Sequence, residues 1–304
     1  MNPGKEEQHP IPLMLGTAQL GMDYGIANKK GRPDPEEAVE IVQTAWENGV
    51  RFFDTAQAYG SSERVLGRCL RELGLSQDPH LRINTKLNPD VRITDEKAIL
   101  ESVAQSLEGL GAERLWCLML HRENLLDEPL SAFRDVARRL KAEGRIDHFG
   151  VSVYSAEKAF AAFAVEGLDA VQLPFNVFDQ RALEHNLFEY AAANRKHLLV
   201  RSVYLQGLLL MDSNQLPPML EFSRGALDSF HSFARRERIA PKLLSLGFVS
   251  QKAREALIIF GAETSEQVRE NVSLYRAAAE LDLPDMSFLS SKDLHLINPS
   301  RWYN

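Results

Sequence analysis

Only two of the 304 residues are cysteine. Cys69 falls on an apolar helical face and Cys117 inside an apolar run. Both read as buried free thiols in a reduced cytosol, the expected location, rather than as a disulfide. No apolar run approaches the roughly 20 residues of a membrane span. The polar opening MNPGKEEQHP lacks the apolar core of a signal peptide. Dense basic runs are missing as well, and 42 acidic against 35 basic side chains give a formal charge of −7. That balance argues against a nucleic-acid partner. Eight histidines are present, but none has a partner at metal-ligand spacing such as His-Glu-x-x-His, so no metal is expected.

What the chain does have is a regular alternation of short apolar runs with amphipathic helical patterns. Strands are expected at Pro12–Thr17, Val50–Asp54, Leu81–Lys86, Leu115–Leu120, Ile146–Ser152, Asp169–Leu173, His197–Arg201 and Ala256–Phe260. Between them, Ala38, Val42, Ala45, Trp46 and Gly49 share one helical face. Val65, Leu66, Cys69, Leu70 and Leu73 share the next, and Ile99, Val103, Ser106, Leu107 and Leu110 the third. A fourth helix is expected to start at a capping Asp127, with Pro129 in its first turn, and to bury Leu130, Phe133, Ala137 and Leu140. Eight such units over residues 11–281 imply one α/β domain, a (β/α)8 TIM barrel of parallel strands. An open doubly wound sheet is the alternative. It is disfavoured because Gly16-Thr-Ala-Gln-Leu-Gly21 lacks the Gly-x-Gly-x-x-Gly spacing. Residues 1–10 read as a polar tail. Residues 202–220, with Pro217-Pro218, are too long for an idle connection and should wall or lid a site. Residues 282–304 add no ninth unit and should pack on or near the barrel mouth through Phe288 and Trp302.

Active sites of parallel barrels form at the carboxyl ends of the strands. Asp54, Lys86 and His121 close strands two, three and four, and Tyr59 follows strand two. Each alone has an ordinary structural reading, as a turn cap, a solvated strand end or a packed imidazole. Together on one rim they suit carbonyl reduction, in which the oxygen gains charge and needs a proton. Tyrosine, with a pKa of about 10, donates slowly unless tuned. A nearby Lys86 ammonium is expected to draw that value down, Asp54 to hold Lys86, and His121 to orient the carbonyl.

At these residues the chain resembles the aldo-keto reductase family, from Leu15-Gly-Thr-Ala to about Tyr275. The specific parts are Asp54-Thr-Ala-x-x-Tyr59-Gly-x-Ser-Glu63, the strand-end Lys86 and Leu-His121-Arg. The resemblance implies a (β/α)8 barrel that transfers hydride between NADP(H) and an aldehyde or ketone. Asp54, Tyr59, Lys86 and His121 match the catalytic tetrad, with Tyr59 the general acid. It also implies that Ser152 and Gln172 hold the nicotinamide carboxamide and that Arg201 and Ser202 flank its ring. Leu205 and Gly207 belong to the same cofactor loop. Gly261, Glu263, Thr264, Gln267 and Asn271 would surround the phosphate and adenosine, at a helix start suited to anions. The plainer alternative is that Thr264 only caps the helix, with Gln267 and Asn271 solvated. The Arg-Ser…Leu-Gln-Gly form and the closing Asn-Pro-Ser-Arg-Trp resemble bacterial relatives linked to sugar and surface-polysaccharide metabolism.

Two positions depart from that pattern. Relatives often place basic or hydroxyl side chains near a 2′-phosphate, where this chain has Gly261, Glu263 and Gln267. A carboxylate repels that phosphate and can accept a bond from a free 2′-hydroxyl, so NAD(H) use is expected as well. Val153 stands where relatives often carry asparagine. Tyr24, Gln57, Arg122, Tyr204 and Trp302, with Gln19, Met22 and Asp23, are candidates to border the substrate, a small hydroxylated, sugar-like or anionic carbonyl compound. Two other functions fit the same barrel: a cofactor-binding regulatory protein with negligible turnover, and a lyase or isomerase using Lys86 as a Schiff-base nucleophile.

Overall fold

The apolar runs become the staves of a closed barrel. A computed structural model describes residues 10–28 and 30–302; apart from Pro10, the expected polar tail lies outside the described residues. The strands are β1 (Leu13–Gly16), β2 (Phe52–Asp54), β3 (Arg82–Lys86), β4 (Leu115–Leu120), β5 (Ile146–Ser152), β6 (Ala170–Pro174), β7 (His197–Arg201) and β8 (Leu257–Gly261). All are parallel, each pairs with the next, and β8 pairs back to β1. The open-sheet alternative is therefore excluded. Three expected strands match to the residue and the other five differ by two residues or fewer at either end.

The helices are α1 (Ala18–Gly21), α2 (Pro35–Glu47), α3 (Ser62–Glu72), α4 (Glu96–Leu110), α5 (Ser131–Ala142) and α6 (Ala156–Ala164). They continue with α7 (Arg181–Glu184), α8 (Leu187–Ala193), α9 (Arg224–Glu237), α10 (Pro241–Lys252), α11 (Ser265–Ala278) and α12 (Leu294–Ile297). None of the described helices is long and apolar enough to cross a membrane. Asp34 starts α2 by accepting from the Glu36 and Glu37 amides, with Pro35 at the first helical position. The expected cap at Asp127 is not one. Asp127 ends a short 3₁₀ turn, Glu123–Asp127, and pairs with Lys158 instead. Proline disfavours helical backbone in the residue before it. Accordingly Glu128 is extended, and α5 begins only at Ser131.

Strand alternation sorts the core into two parts. Along β4, Leu118 and Leu120 join the layer between strands and helices, whereas Cys117 and Met119 join Met14, Ala170, Leu199 and Ile259 inside the barrel. Both cysteines are buried free thiols. At the amino-terminal end, the rings of Trp116, His148 and His197 pack together with centroids 4.1–5.7 Å apart. The opposite end is left for polar side chains. Register places Gly16 beside Asp54 and Asp54 beside Asn84.

Two irregular segments complete that end. Residues 202–223 form short 3₁₀ turns in which Ser202, Leu205 and Gln206 adopt left-handed backbone (φ 62°, 49° and 55°). Such conformations are strained and persist only where the surroundings enforce them. Here Leu205 is fully buried and Asn176 Nδ2 donates to the Ser202 carbonyl, pinning the segment. The tail returns over the loop after β6, where Gln180 Nε2 donates to the Met286 carbonyl and the Ser291 amide to that of Phe178. Trp302 is buried and donates to the His295 carbonyl, while Phe288 stays exposed beside Phe233.

Candidate active site

Asp54 ends β2 and Lys86 ends β3, so adjacent strands bring their side chains together without a loop. Lys86 Nζ lies 2.8 and 2.9 Å from the two Asp54 oxygens and 3.0 Å from the Thr55 carbonyl. All three ammonium hydrogens are thereby engaged. Asp54 Oδ1 also accepts from Asn84 Nδ2 at 2.6 Å and Gln172 Nε2 at 2.8 Å. Burial pulls the Lys86 pKa below the ordinary lysine value, and Asp54 opposes it. Enclosed and fully bonded, Lys86 has no free lone pair for a Schiff base, which argues against lyase chemistry.

Tyr59 hangs over this pair from the loop after β2. Gly21 makes room for that loop: a Cβ there would overlap the Tyr59 carbonyl and the Ser62 amide. The Tyr59 ring lies 4.9 Å from Lys86 Nζ and edge-on to His121 at 5.7 Å between centroids. Its surface is only partly buried, and it faces a cleft. The expected lowering by Lys86 is not found. Burial pushes the Tyr59 phenol up, Asp54 pushes it further, and Arg201 is the cation that opposes them. His121 follows β4 directly, and burial, with Lys86 next, lowers its pKa to about 4. It is thus neutral near pH 7, and its Nδ1 is buried without a hydrogen-bond partner among the described residues.

The cleft encloses about 1100 Å³, open solvent included, and runs from Asp54, Tyr59, Gln172 and Arg201 to Gln267 and Asn271. Tyr24 joins the first end, where burial pushes its phenol up to about 12. Ser202, Gly207 and Gly261 also line the cleft. At the far end Tyr204 Oη donates to Asn271 Oδ1 at 2.5 Å, and the Glu263 amide donates to Gln267 Oε1 at 2.8 Å. An elongated groove with a proton-donor cluster at one end and amides and a hydroxyl at the other fits an extended dinucleotide. Gly261 keeps the groove open, since a side chain there would press into the Gln19 amide.

Several expected site residues lie elsewhere. Gln57 turns outward, bonding Ser102, Ser106 and the Asn88 amide, which ties its loop to α4. Arg122 is solvent-exposed near Asp90. Trp302 is buried in the tail. Tyr204 borders the far end of the cleft, away from Tyr59. Ser152 is buried at the end of β5, Leu205 pins its loop, and Thr264 caps α11 by accepting from the Gln267 amide. None of these last three lines the cleft.

Three residues join the site unanticipated. Asn84 is signalled only by being polar within a buried strand. Tyr154, one residue beyond Val153, lies 4.5 Å beneath the Arg201 guanidinium. Lys242, at the start of α10, enters the far end and pairs with Glu270.

Residues 12–293 match the model of the Aldo/keto reductase family. The chain is 30% identical over 201 residues to aldo-keto reductase YhdN of Bacillus subtilis, covering 64% of this chain and 59% of that one. It is 26% identical over 305 residues to the NADH-specific methylglyoxal reductase of Escherichia coli, covering 89% and 90%. Among solved structures, the aldo-keto reductase AKR11C1 from Bacillus halodurans superposes with a TM-score of 0.72 at 19% identity, covering 98% and 97%. The chain belongs to the aldo/keto reductase family.

Proposed function

We propose that this protein reduces a small hydroxylated or anionic carbonyl compound, with Tyr59 as the general acid. One arrangement carries the reading: Tyr59 faces the cleft while Lys86 and His121 flank its ring. A bound nicotinamide cofactor supplies the hydride. Gln172, Arg201 and Ser202 would hold its reactive end, and Gln267, Asn271, Lys242 and Tyr204 its adenosine end. As the carbonyl oxygen gains charge, Tyr59 hands over its proton and neutral His121 donates a hydrogen bond. Asp54, fixed by Asn84, Gln172 and Lys86, keeps the ammonium beneath the tyrosine ring.

Cofactor choice turns on the far end of the cleft. Glu263 lines it and disfavours a 2′-phosphate, while the charge of Lys242 is countered by Glu270. NADH use follows from that balance, in keeping with the NADH-specific relative from Escherichia coli. NADPH binding a hundredfold tighter than NADH would overturn it.

Cofactor oxidation against a panel of aldehydes, ketoses and deoxysugars, run beside Tyr59→Phe, tests the whole reading. The variant should keep cofactor binding and lose turnover by about 10²-fold or more. Undiminished turnover would refute the role of Tyr59. Tight cofactor binding with no turnover of any carbonyl by the wild type would favour a regulatory protein instead.

A further inference from the structure

We propose that Arg201 makes this cleft bind the reduced nicotinamide cofactor in preference to the oxidised one. The inference rests on the reading of the cleft as a nicotinamide site.

Among the described residues that line the Tyr59 end of the cleft, uncompensated charge reduces to one group. Asp54 and Lys86 cancel each other as a buried pair. Tyr24 and Tyr59 are protonated phenols and His121 is a neutral imidazole near pH 7. Arg201 is left. Among the described residues no carboxylate lies within ion-pair distance of it. Its contacts are the Val153 carbonyl at 3.3 Å, Ser202 Oγ at 3.4 Å and the Tyr154 ring at 4.5 Å. Those contacts hold the guanidinium without neutralising it. Its backbone is fixed as well, since β7 carries it and the following segment is pinned at Ser202 and Leu205.

Geometry then puts the nicotinamide beside that charge. A carbonyl protonated by Tyr59 lies within hydrogen-bond reach, about 2.6–3.2 Å, of its hydroxyl. The hydride-donating carbon must approach that carbonyl to roughly 3–3.5 Å. The ring therefore occupies the Tyr59 end of the cleft, whose wall includes Arg201 and Gln172. A nicotinamide ring is cationic when oxidised and neutral when reduced. Arg201 lines the same part of the cleft as Tyr24 and Tyr59, and its charge is one of the smaller contributions to the shifts at Tyr24, Tyr59, Lys86 and His121. Repulsion between like charges in such a partly dry site is worth a factor of about ten or more in affinity. Arg201 thus retains the hydride donor and expels the spent cofactor.

Dissociation constants for NADH and NAD⁺, and for NADPH and NADP⁺, measured by titration calorimetry on the whole protein, test this without any turnover. The wild type should bind the reduced member of a pair at least about tenfold tighter. Arg201→Met should bring the ratio near unity, mainly by tightening the oxidised form, and Arg201→Lys should keep it. Equal affinities in the wild type would overturn the proposal, and that measurement needs no variant to fold. An equal weakening of both forms in Arg201→Met would also overturn it, marking Arg201 as an ordinary phosphate or ribose contact. Binding of neither form would remove the cofactor reading together with the inference. Turnover without redox discrimination would remove the inference alone.

Discussion

Lys86 and Asp54 form a two-pronged ion pair inside the barrel mouth, with Nζ 2.8 and 2.9 Å from the carboxylate oxygens. Removing one partner of a buried pair strands the other. Lys86→Met is expected to cost about 3–5 kcal/mol of stability. The double variant Asp54→Leu, Lys86→Met should recover only part of that loss. The Asn84 and Gln172 amides would still lose their acceptor, at about 1–3 kcal/mol each. Urea unfolding of the two variants and the wild type measures both effects. Full recovery in the double variant would show that the amides find other partners.

The site should tolerate a wide pH range. His121 gains its proton only near pH 4, and Tyr59 is held in its phenol form by burial and by Asp54. Mild acid therefore leaves the imidazole neutral, and mild base removes no proton from the tyrosine. We expect kcat/KM for carbonyl reduction to stay level from about pH 5 to about pH 9. A fall beginning near pH 7 would show that cofactor binding draws the phenol down after all.

Acid stability has its own reporter at the amino-terminal end of the barrel. Burial alone would raise the Asp169 pKa. Hydrogen bonds from His148, Lys141 and the Phe149 amide outweigh burial and lower it to about 2. With an unfolded value of about 3.9, its contribution is complete above about pH 4 and is lost as pH falls towards 2. Asp169→Asn should lower stability at pH 7 by roughly 1–2 kcal/mol and flatten the decline between pH 4 and 2. Parallel acid-unfolding curves for variant and wild type would argue against this.

The loop that carries Tyr59 leans on a glycine. Gly21→Ala would force a methyl into the Tyr59 carbonyl and the Ser62 amide. Rigid backbone cannot yield as a side chain can, so Tyr59 must move or α1 must shift. We expect loss of carbonyl reduction by about 10²-fold, because a displacement near 1 Å is enough for that. Cofactor affinity should change less, since the groove lies mostly beyond the loop. Wild-type turnover in Gly21→Ala would show that α1 absorbs the methyl.

How much of this was legible in the sequence follows from where each side chain finds its partner. Strand β4 matched to the residue because a continuous apolar run buried on both faces has few other solutions. Asp54, Lys86 and His121 were readable because a strand end places them whatever their neighbours do. Gln57 was misplaced because its partners, Ser102 and Ser106, come from a helix packed outside the barrel. Tyr154 and Lys242 went unread for the reciprocal reason: only barrel closure and the placement of α10 turn them inward. The raised Tyr59 pKa was invisible too, since burial and the prior engagement of Lys86 are properties of the assembled site.

Asp54 is also the meeting point of two very different spans of chain. Its bond to Lys86 closes 32 residues, within a single β2–α3–β3 unit. Its bond from Gln172 closes 118 residues and crosses the barrel to β6. Loop closure grows costlier with length, and long-range pairings generally form late. The ion pair can therefore assemble with the first strands, as on a growing chain, whereas the amide arrives only after β6 has docked. One carboxylate oxygen records both an early local event and the later closing of the ring.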